Sequence, residues 1–271
     1  MNQSSEIPSP NTNTSLESVA ADLGIKIEQA GAGRTVLLLH GGAGPMSVSA
    51  FANDLSPYKH VITPTHPGFA GTKRPDHMNS VKELARTYVA LIERARVRDA
   101  LVIGFSIGGW IAAEMATLHP TGVAGFVLVD ATGITVPGRS VLDVFSIAPS
   151  EIANFSYHAP DKYRIDPSKM TEQQMAGMKA NFATLAVYSR AVNGQDPDLR
   201  ERLASVKTPT MVVWGESDRV VTPDYGRAYA AAFPNGRFEL IAECGHMPQI
   251  EQPQRLRELI RAFEQDLPAR S

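Results

Sequence analysis

Cysteine is almost missing from this chain. Of 271 residues only Cys244 carries a thiol, so no internal disulfide can form and nothing points to an oxidising compartment. A surplus of positive charge is missing too: 26 Lys and Arg face 28 Asp and Glu, for a formal net charge of −2. The basic residues are scattered, which excludes the footprint of a nucleic-acid binder. No uninterrupted apolar run is long enough to cross a bilayer, so no membrane partner is expected. The stretch MNQSSEIPSPNTNTSLESVA has neither the basic nor the apolar region of a secretory leader. Its Ser, Asn, Thr and Pro content predicts a disordered lead-in over residues 1–20, and the protein is expected to be cytoplasmic. There is no repeat of fixed period. No pair or trio among the seven histidines has metal-site spacing, so neither metal nor cofactor is expected.

What is present is ordinary for a chain with a large core, with 43% hydrophobic and 20% charged residues. Short apolar runs recur between helical patterns. GIKIEQAG, RTVLLLHGG and HVITPTHPG read as strands, the last ending at the turn dipeptide Pro67-Gly68. VKELARTYVALIERARV places Leu84, Tyr88, Leu91 and Ala95 at helical spacing. ALVIGFS, GFVLVDATG, TPTMVVWGESD and RFELIAECGH read as further strands, with helices at IGGWIAAEMATLHP, PDYGRAYAAAFP and PQRLRELIRAFEQDL. Runs such as TVLLL and FVLV are apolar on both faces, which suits a mostly parallel sheet flanked by helices in an α/β protein. The segment 134–207 breaks this rhythm and reads as an inserted helical cap, with a core formed by residues 21–133 and 208–271. Within it KMTEQQMAGMKANFATLAVYSR is the clearest helix, with Met175, Met178, Phe182 and Leu185 on one face.

At the junction LVIGFSIGGWIAAEMA a single serine, Ser106, stands between Gly104 and Gly108 where a strand runs straight into a helix. A serine hydroxyl is a weak nucleophile at neutral pH and needs a base within hydrogen-bond reach. A tight strand-to-helix turn lifts it above the sheet, and flanking glycines let main chain pass close to main chain. The same turn aims the N–H of Ile107, at the start of the helix, where negative charge is favoured. HGGAGP, residues His40 to Pro45, offers a second backbone donor, for which Gly42 is the first choice and Ala43 the alternative. A base is expected in a loop after the last strand, where His246 stands in CGHMPQIEQP. Its orienting acid is expected after the preceding strand, where Asp218 stands in WGESDRVVTP; Asp130 also ends a strand and is a competing choice.

With its motifs HGGAGP, HPGFAGT, GFSIGG, WGESDRVVTP and CGHMPQIEQP in register, the chain resembles the α/β-hydrolase superfamily over about residues 24–267. The capped members it is similar to include esterases, cofactor-free haloperoxidases and C–C bond hydrolases. The resemblance implies a catalytic order Ser106, Asp218, His246, an oxyanion hole from Gly42 and Ile107, and a small-molecule substrate. It implies hydrolysis of a small, fairly apolar carboxylic ester through an acyl-enzyme. The alternative is hydrolysis of a C–C bond in a diketone-type ring-fission product, and a third reading is a ligand receptor on a hydrolase scaffold. C–C hydrolases of this kind usually carry Asn before the nucleophile, Trp after the histidine and Arg in the cap helix. Here the first two positions are Phe105 and Met247, and no arginine aligns near Met178-Lys179. Phe105, Met175, Met178, Phe182 and Met247 are the candidate pocket residues, with cap packing as the other role for the cap methionines and Phe182. His40 and His66 are expected to hold their loops by hydrogen bonds.

Overall fold

The computed structural model describes residues 15–267. Its strands are β1 (Lys26–Ala30), β2 (Thr35–Leu39), β3 (His60–Thr65), β4 (Ala100–Phe105), β5 (Val123–Val129), β6 (Gly133–Ile134), β7 (Gln195–Asp196), β8 (Thr210–Gly215) and β9 (Gly236–Ile241). The helices are α1 (Leu16–Asp22), α2 (Met46–Leu55), α3 (Val81–Arg94), α4 (Ile107–Thr117), α5 (Ile152–Ser156), α6 (Pro160–Tyr163), α7 (Glu172–Ser189), α8 (Leu199–Leu203), α9 (Pro223–Ala230), α10 (Pro248–Glu251) and α11 (Pro253–Gln265). Seven strands form one sheet in the order β1-β3-β2-β4-β5-β8-β9. Only β1 runs antiparallel to its neighbour.

Alternation along the strands divides the interior into two cores. Val36 and Leu38 face one side with Leu101, Ile103, Val127 and Val129, where α2 and α11 supply Phe51, Leu256, Ile260 and Phe263. Leu37 and Leu39 face the other with Val102, Phe126 and Leu128, under Leu84, Tyr88, Tyr225 and Tyr229 of α3 and α9. Every residue of β4 and β8 is buried. That is why these strands read as continuous apolar runs rather than as alternating ones.

The N-terminal expectation needs correction. α1 begins at Leu16, inside the stretch 1–20 expected to be disordered, and Val19 is fully buried. The Ser15 side chain accepts the Ser18 N–H at 3.2 Å as a helix cap. Leu16, Val19 and Ala20 then form a short apolar stripe that docks on the core. The polar residues ahead of it hid that stripe, and residues 1–14 lie outside the described residues.

Between β5 and β8 the chain departs from the sheet and forms helices α5, α6, α7 and α8. The departure and return are tied by β6 and β7, which pair in parallel at Gly133–Gln195 and Ile134–Asp196. α8 falls within the expected 134–207 segment but packs against α4, with Leu199 and Leu203 fully buried. An ion pair between the half-buried Arg202 and buried Glu114 reinforces that contact: the guanidinium grips both Glu114 carboxylate oxygens at 2.7 and 2.8 Å and reaches Asp196 at 2.6 Å.

Candidate active site

The turn from β4 into α4 shows why its residues are small. Ser106 sits at φ 53°, ψ −118°, a region costing roughly 1–3 kcal/mol for a residue with a side chain. A Cβ on Gly104 would lie 2.2 Å from the Gly108 carbonyl oxygen, and one on Gly108 would lie 2.4 Å from that of Leu39. The turn closes only because neither position has a side chain. It is pinned at the Ser106 N–H, which donates to Val129 O at 2.9 Å, and at the Ser106 carbonyl, which accepts from Trp110 N–H at 3.1 Å.

The loops after β8 and β9 meet in front of this serine. A Cβ on Gly215 would lie 2.0 Å from Gly245 O, and Ser217 N–H donates to Cys244 O at 2.7 Å. That contact brings Asp218 Oδ2 to 2.8 Å from His246 Nδ1, and His246 Nε2 to 2.9 Å from Ser106 Oγ. The other Asp218 oxygen accepts the N–H groups of Val220 and Val221 at 2.8 and 3.1 Å. Its carboxylate is therefore fixed before it meets the imidazole. Asp218 and His246 are both buried.

Of the competing acids, Asp218 makes the bond to the histidine ring. Asp130 follows β5 beside it and accepts the Gly215 N–H at 2.9 Å through Oδ1. Asp130, Asp218 and His246 are the one group among the described residues with ligand-type atoms close enough to hold a metal ion, all within 4.8 Å. Both ring nitrogens of His246 are already engaged, by Asp218 and by Ser106.

The HGGAGP loop lies alongside. A Cβ on Gly41 would sit 3.3 Å from Ser106 Cβ, and one on Gly42 2.7 Å from Leu185 Cδ2 of α7. Ile107 opens α4, so its N–H belongs to the first turn, where a helix leaves its donors without an internal partner. Two buried histidines support the loop. His40 Nδ1–H donates to Gly41 O at 2.8 Å while its Nε2 accepts the His66 N–H at 3.1 Å. His66 Nε2–H donates to His40 O at 3.0 Å and its Nδ1 accepts the Tyr88 hydroxyl at 2.6 Å. Burial holds His40 neutral down to about 4 and His66 well below the usual histidine range. Both imidazoles brace the loop, as expected from the sequence.

Several pocket expectations are corrected. Phe105 points away from the site into the core, edge-on to Phe51 at 5.9 Å, because strand alternation sends the residue before Ser106 to that side. Met175 and Met178 are exposed, at 41% and 46%. The inward face of α7 instead runs through Asn181, Thr184, Leu185 and Tyr188, and the first two turns project past the core. Phe182 is half-buried and packs on Phe145 at 5.0 Å. Met247 is half-buried beside the Gln249 amide.

Contacts from the inserted segment were not legible in the sequence. The Ser156 carbonyl accepts His246 N–H at 2.8 Å. Glu251 accepts Gly245 N–H at 2.6 Å and His158 N–H at 3.0 Å, joining the histidine loop to the segment between α5 and α6. Asn181 and Thr184 bind the loops at Ala43 and Gly68. The only available signal was their polarity on an otherwise apolar stretch of helix.

A family model described as the alpha/beta hydrolase family matches residues 36–259. The chain is 26% identical over 265 residues to a 2-hydroxymuconate semialdehyde hydrolase of Pseudomonas putida, across 91% of this chain and 92% of that protein. It is 27% identical over 268 residues to a 2-hydroxy-6-oxononadienedioate/2-hydroxy-6-oxononatrienedioate hydrolase of Paraburkholderia phymatum, across 89% and 91%. Among solved structures it resembles a meta-cleavage product hydrolase from Pseudomonas fluorescens IP01, with TM-score 0.74 and 21% identity over 89% of this chain and 94% of that one. A thermophilic esterase from Thermogutta terrifontis gives TM-score 0.70 and 24% identity over 89% and 93%. The two structural likenesses speak to the fold alone.

Proposed function

This chain belongs to the alpha/beta hydrolase family, and we propose that it is a serine hydrolase whose nucleophile, base and acid are Ser106, His246 and Asp218. The observation that carries this reading is the unbroken hydrogen-bond series from Ser106 Oγ through both ring nitrogens of His246 to Asp218, at 2.9 and 2.8 Å. His246 takes the serine proton through Nε2 as Oγ attacks a carbonyl carbon. Asp218 keeps the other proton on Nδ1 and stabilises the imidazolium. The N–H groups of Ile107 and Gly42 receive the oxyanion, each worth roughly 3 kcal/mol of barrier. The leaving alcohol takes the proton from Nε2, and water then releases the acid from the acyl-enzyme by the same steps. Leu185 against Gly42 and the Ser156 carbonyl on His246 support reading the insertion as a cap over the serine.

The substrate we infer is a small, fairly apolar carboxylic ester. The half-buried, uncharged side chains of Leu185, Phe182 and Met247 support it. The second reading is hydrolysis of the C–C bond of a diketone-type ring-fission product, favoured by the hydrolase activities for which the Pseudomonas putida and Paraburkholderia phymatum relatives are named. There the same polarised carbonyl is attacked, and the bond to the neighbouring carbon breaks with its electrons passing into a conjugated enolate, which takes the proton held on His246 Nε2.

Steady-state hydrolysis of p-nitrophenyl esters from acetate to dodecanoate, beside 2-hydroxymuconate semialdehyde, separates the two. A kcat/KM larger on an ester, and lost in Ser106→Ala, supports the first reading. A larger value on the semialdehyde supports the second. No turnover of either would sink both.

A further inference from the structure

One titratable group beside this site has no part in the steps above. Asp130 is fully buried directly after β5, with its backbone in the left-handed region at φ 45°. Oδ1 accepts the Gly215 N–H at 2.9 Å. Oδ2 is buried and receives no proton from any donor among the described residues. What faces the Asp130 carboxyl is the Asp218 carboxyl, with an oxygen of each within 4.8 Å of the other. Two bare carboxylates held this close in a buried site repel, whereas one proton between them relieves the repulsion and lets one carboxyl donate to the other.

The donor sets decide which carboxyl keeps that proton. Asp218 is served by three donors: Val220 N–H, Val221 N–H and His246 Nδ1. Asp130 is served by one. Charge therefore rests on Asp218 and the proton on Asp130 Oδ2. Burial first, then the Asp218 charge, raises the Asp130 carboxyl well above the usual range. Glu251 adds to this from the end of α10, and buried Cys244 stays a neutral thiol nearby. The remaining titratable neighbour is His246 itself, whose ring nitrogen lies within 4.8 Å of a carboxyl oxygen of Asp130.

We propose that Asp130 is a positioning residue that donates Oδ2–H to the Asp218 carboxylate and stands in reserve as the acid of His246. With Asp218 present, that hydrogen bond fixes the outer side of the carboxylate on which the imidazole leans. With Asp218 removed, Asp130 gives its proton to solvent and its carboxylate accepts His246 Nδ1–H. The proposal rests on reading Ser106, His246 and Asp218 as nucleophile, base and acid.

The test measures the rate at which a fluorophosphonate labels the native protein, Ser106→Ala, Asp218→Ala and Asp218→Ala/Asp130→Asn. Asn keeps an acceptor for the Gly215 N–H, and thermal melts confirm that each variant is folded. Asp218→Ala is expected to label at a reduced rate that rises with pH as Asp130 ionises. The double variant is expected to be at least about tenfold slower again, with that rise gone. Equal rates and equal pH profiles for the single and double variants would overturn the reserve role. Labelling of Ser106→Ala as fast as the native protein would overturn the serine reading instead. Infrared spectra decide the hydrogen bond independently of any reaction. The native protein at neutral pH should show a protonated-carboxyl stretch that Asp130→Asn lacks, and identical spectra would refute the proton on Asp130.

Discussion

The side-chain amide of Asn181 donates to the carbonyl of Ala43 at 2.9 Å, tying the middle of α7 to the glycine loop beside Ser106. The same side chain accepts Ala70 N–H through Oδ1 at 2.7 Å. One turn on, the Thr184 hydroxyl donates to Gly68 O at 2.8 Å, and Tyr188 donates to Pro67 O at 2.9 Å. One helix of the insertion thereby holds two core loops in register.

Removing the Asn181 amide should loosen the loop that carries the Gly42 N–H. A hydrogen bond of this kind contributes about 1–1.5 kcal/mol. If that is lost from the transition state, kcat for an ester falls by about tenfold in Asn181→Ala. Because Thr184 and Tyr188 still dock α7, the midpoint of thermal unfolding should move by only a few degrees. A variant with unchanged kcat would show that the loop holds its shape alone.

Two glycines near the serine should respond very differently to alanine. At Gly104 the new Cβ meets backbone at 2.2 Å, which cannot yield without opening the strand-to-helix turn. Gly104→Ala is expected to destabilise the fold by 3 kcal/mol or more, on the order of the largest overpacking costs. At Gly42 the neighbour is the tip of the half-buried Leu185 side chain, 2.7 Å away, a flexible end rather than backbone. Gly42→Ala should cost about 1 kcal/mol or less. Urea denaturation of both variants checks the contrast, and equal losses would contradict it.

The pair His40 and His66 makes stability depend on pH. Both are neutral in the folded chain, with His40 held down to about 4 from an ordinary 6.5. Below pH 6.5 the unfolded chain takes up protons that the folded chain refuses. Stability is therefore full above 6.5 and is lost as the pH falls through the window toward 4. Each histidine costs on the order of 1.4 kcal/mol per pH unit within that window. Urea midpoints measured at pH 7.5, 6 and 5 should fall steadily, and a flat series would mean that these rings accept protons without disturbing the loops.

The Arg202–Glu114 contact gives a fourth expectation. Glu114 is 3% exposed and takes both of its near bonds from one guanidinium. Arg202→Leu leaves that charge buried without its partner, at a cost of about 3–5 kcal/mol. Removing both, in Glu114→Leu/Arg202→Leu, should recover most of the loss. Calorimetric melts of the two variants decide it; a double variant no more stable than the single would point to the packing of α8 rather than to the charge.

The sequence by itself determined the sheet and the serine turn, because both are dictated over a few residues. Apolar β-branched runs bounded by glycine or proline have one good place in an α/β protein. The serine between two glycines at a strand-to-helix junction was visible in one short stretch, and the order Ser106, Asp218, His246 was implied by the resemblance to the α/β-hydrolase superfamily. Tertiary structure decided what depends on two distant segments meeting. Asp130 and Asp218 both end strands, and only the close passage of Gly215 against Gly245 gives the histidine to Asp218 and leaves Asp130 behind it. The inward face of α7 went the same way: its methionines looked buried by spacing, yet Asn181, Thr184 and Tyr188 face the core. Backbone carbonyls of loops more than a hundred residues away supply their partners. A hydrogen bond depends on where both of its ends stand, and a sequence shows one end at a time.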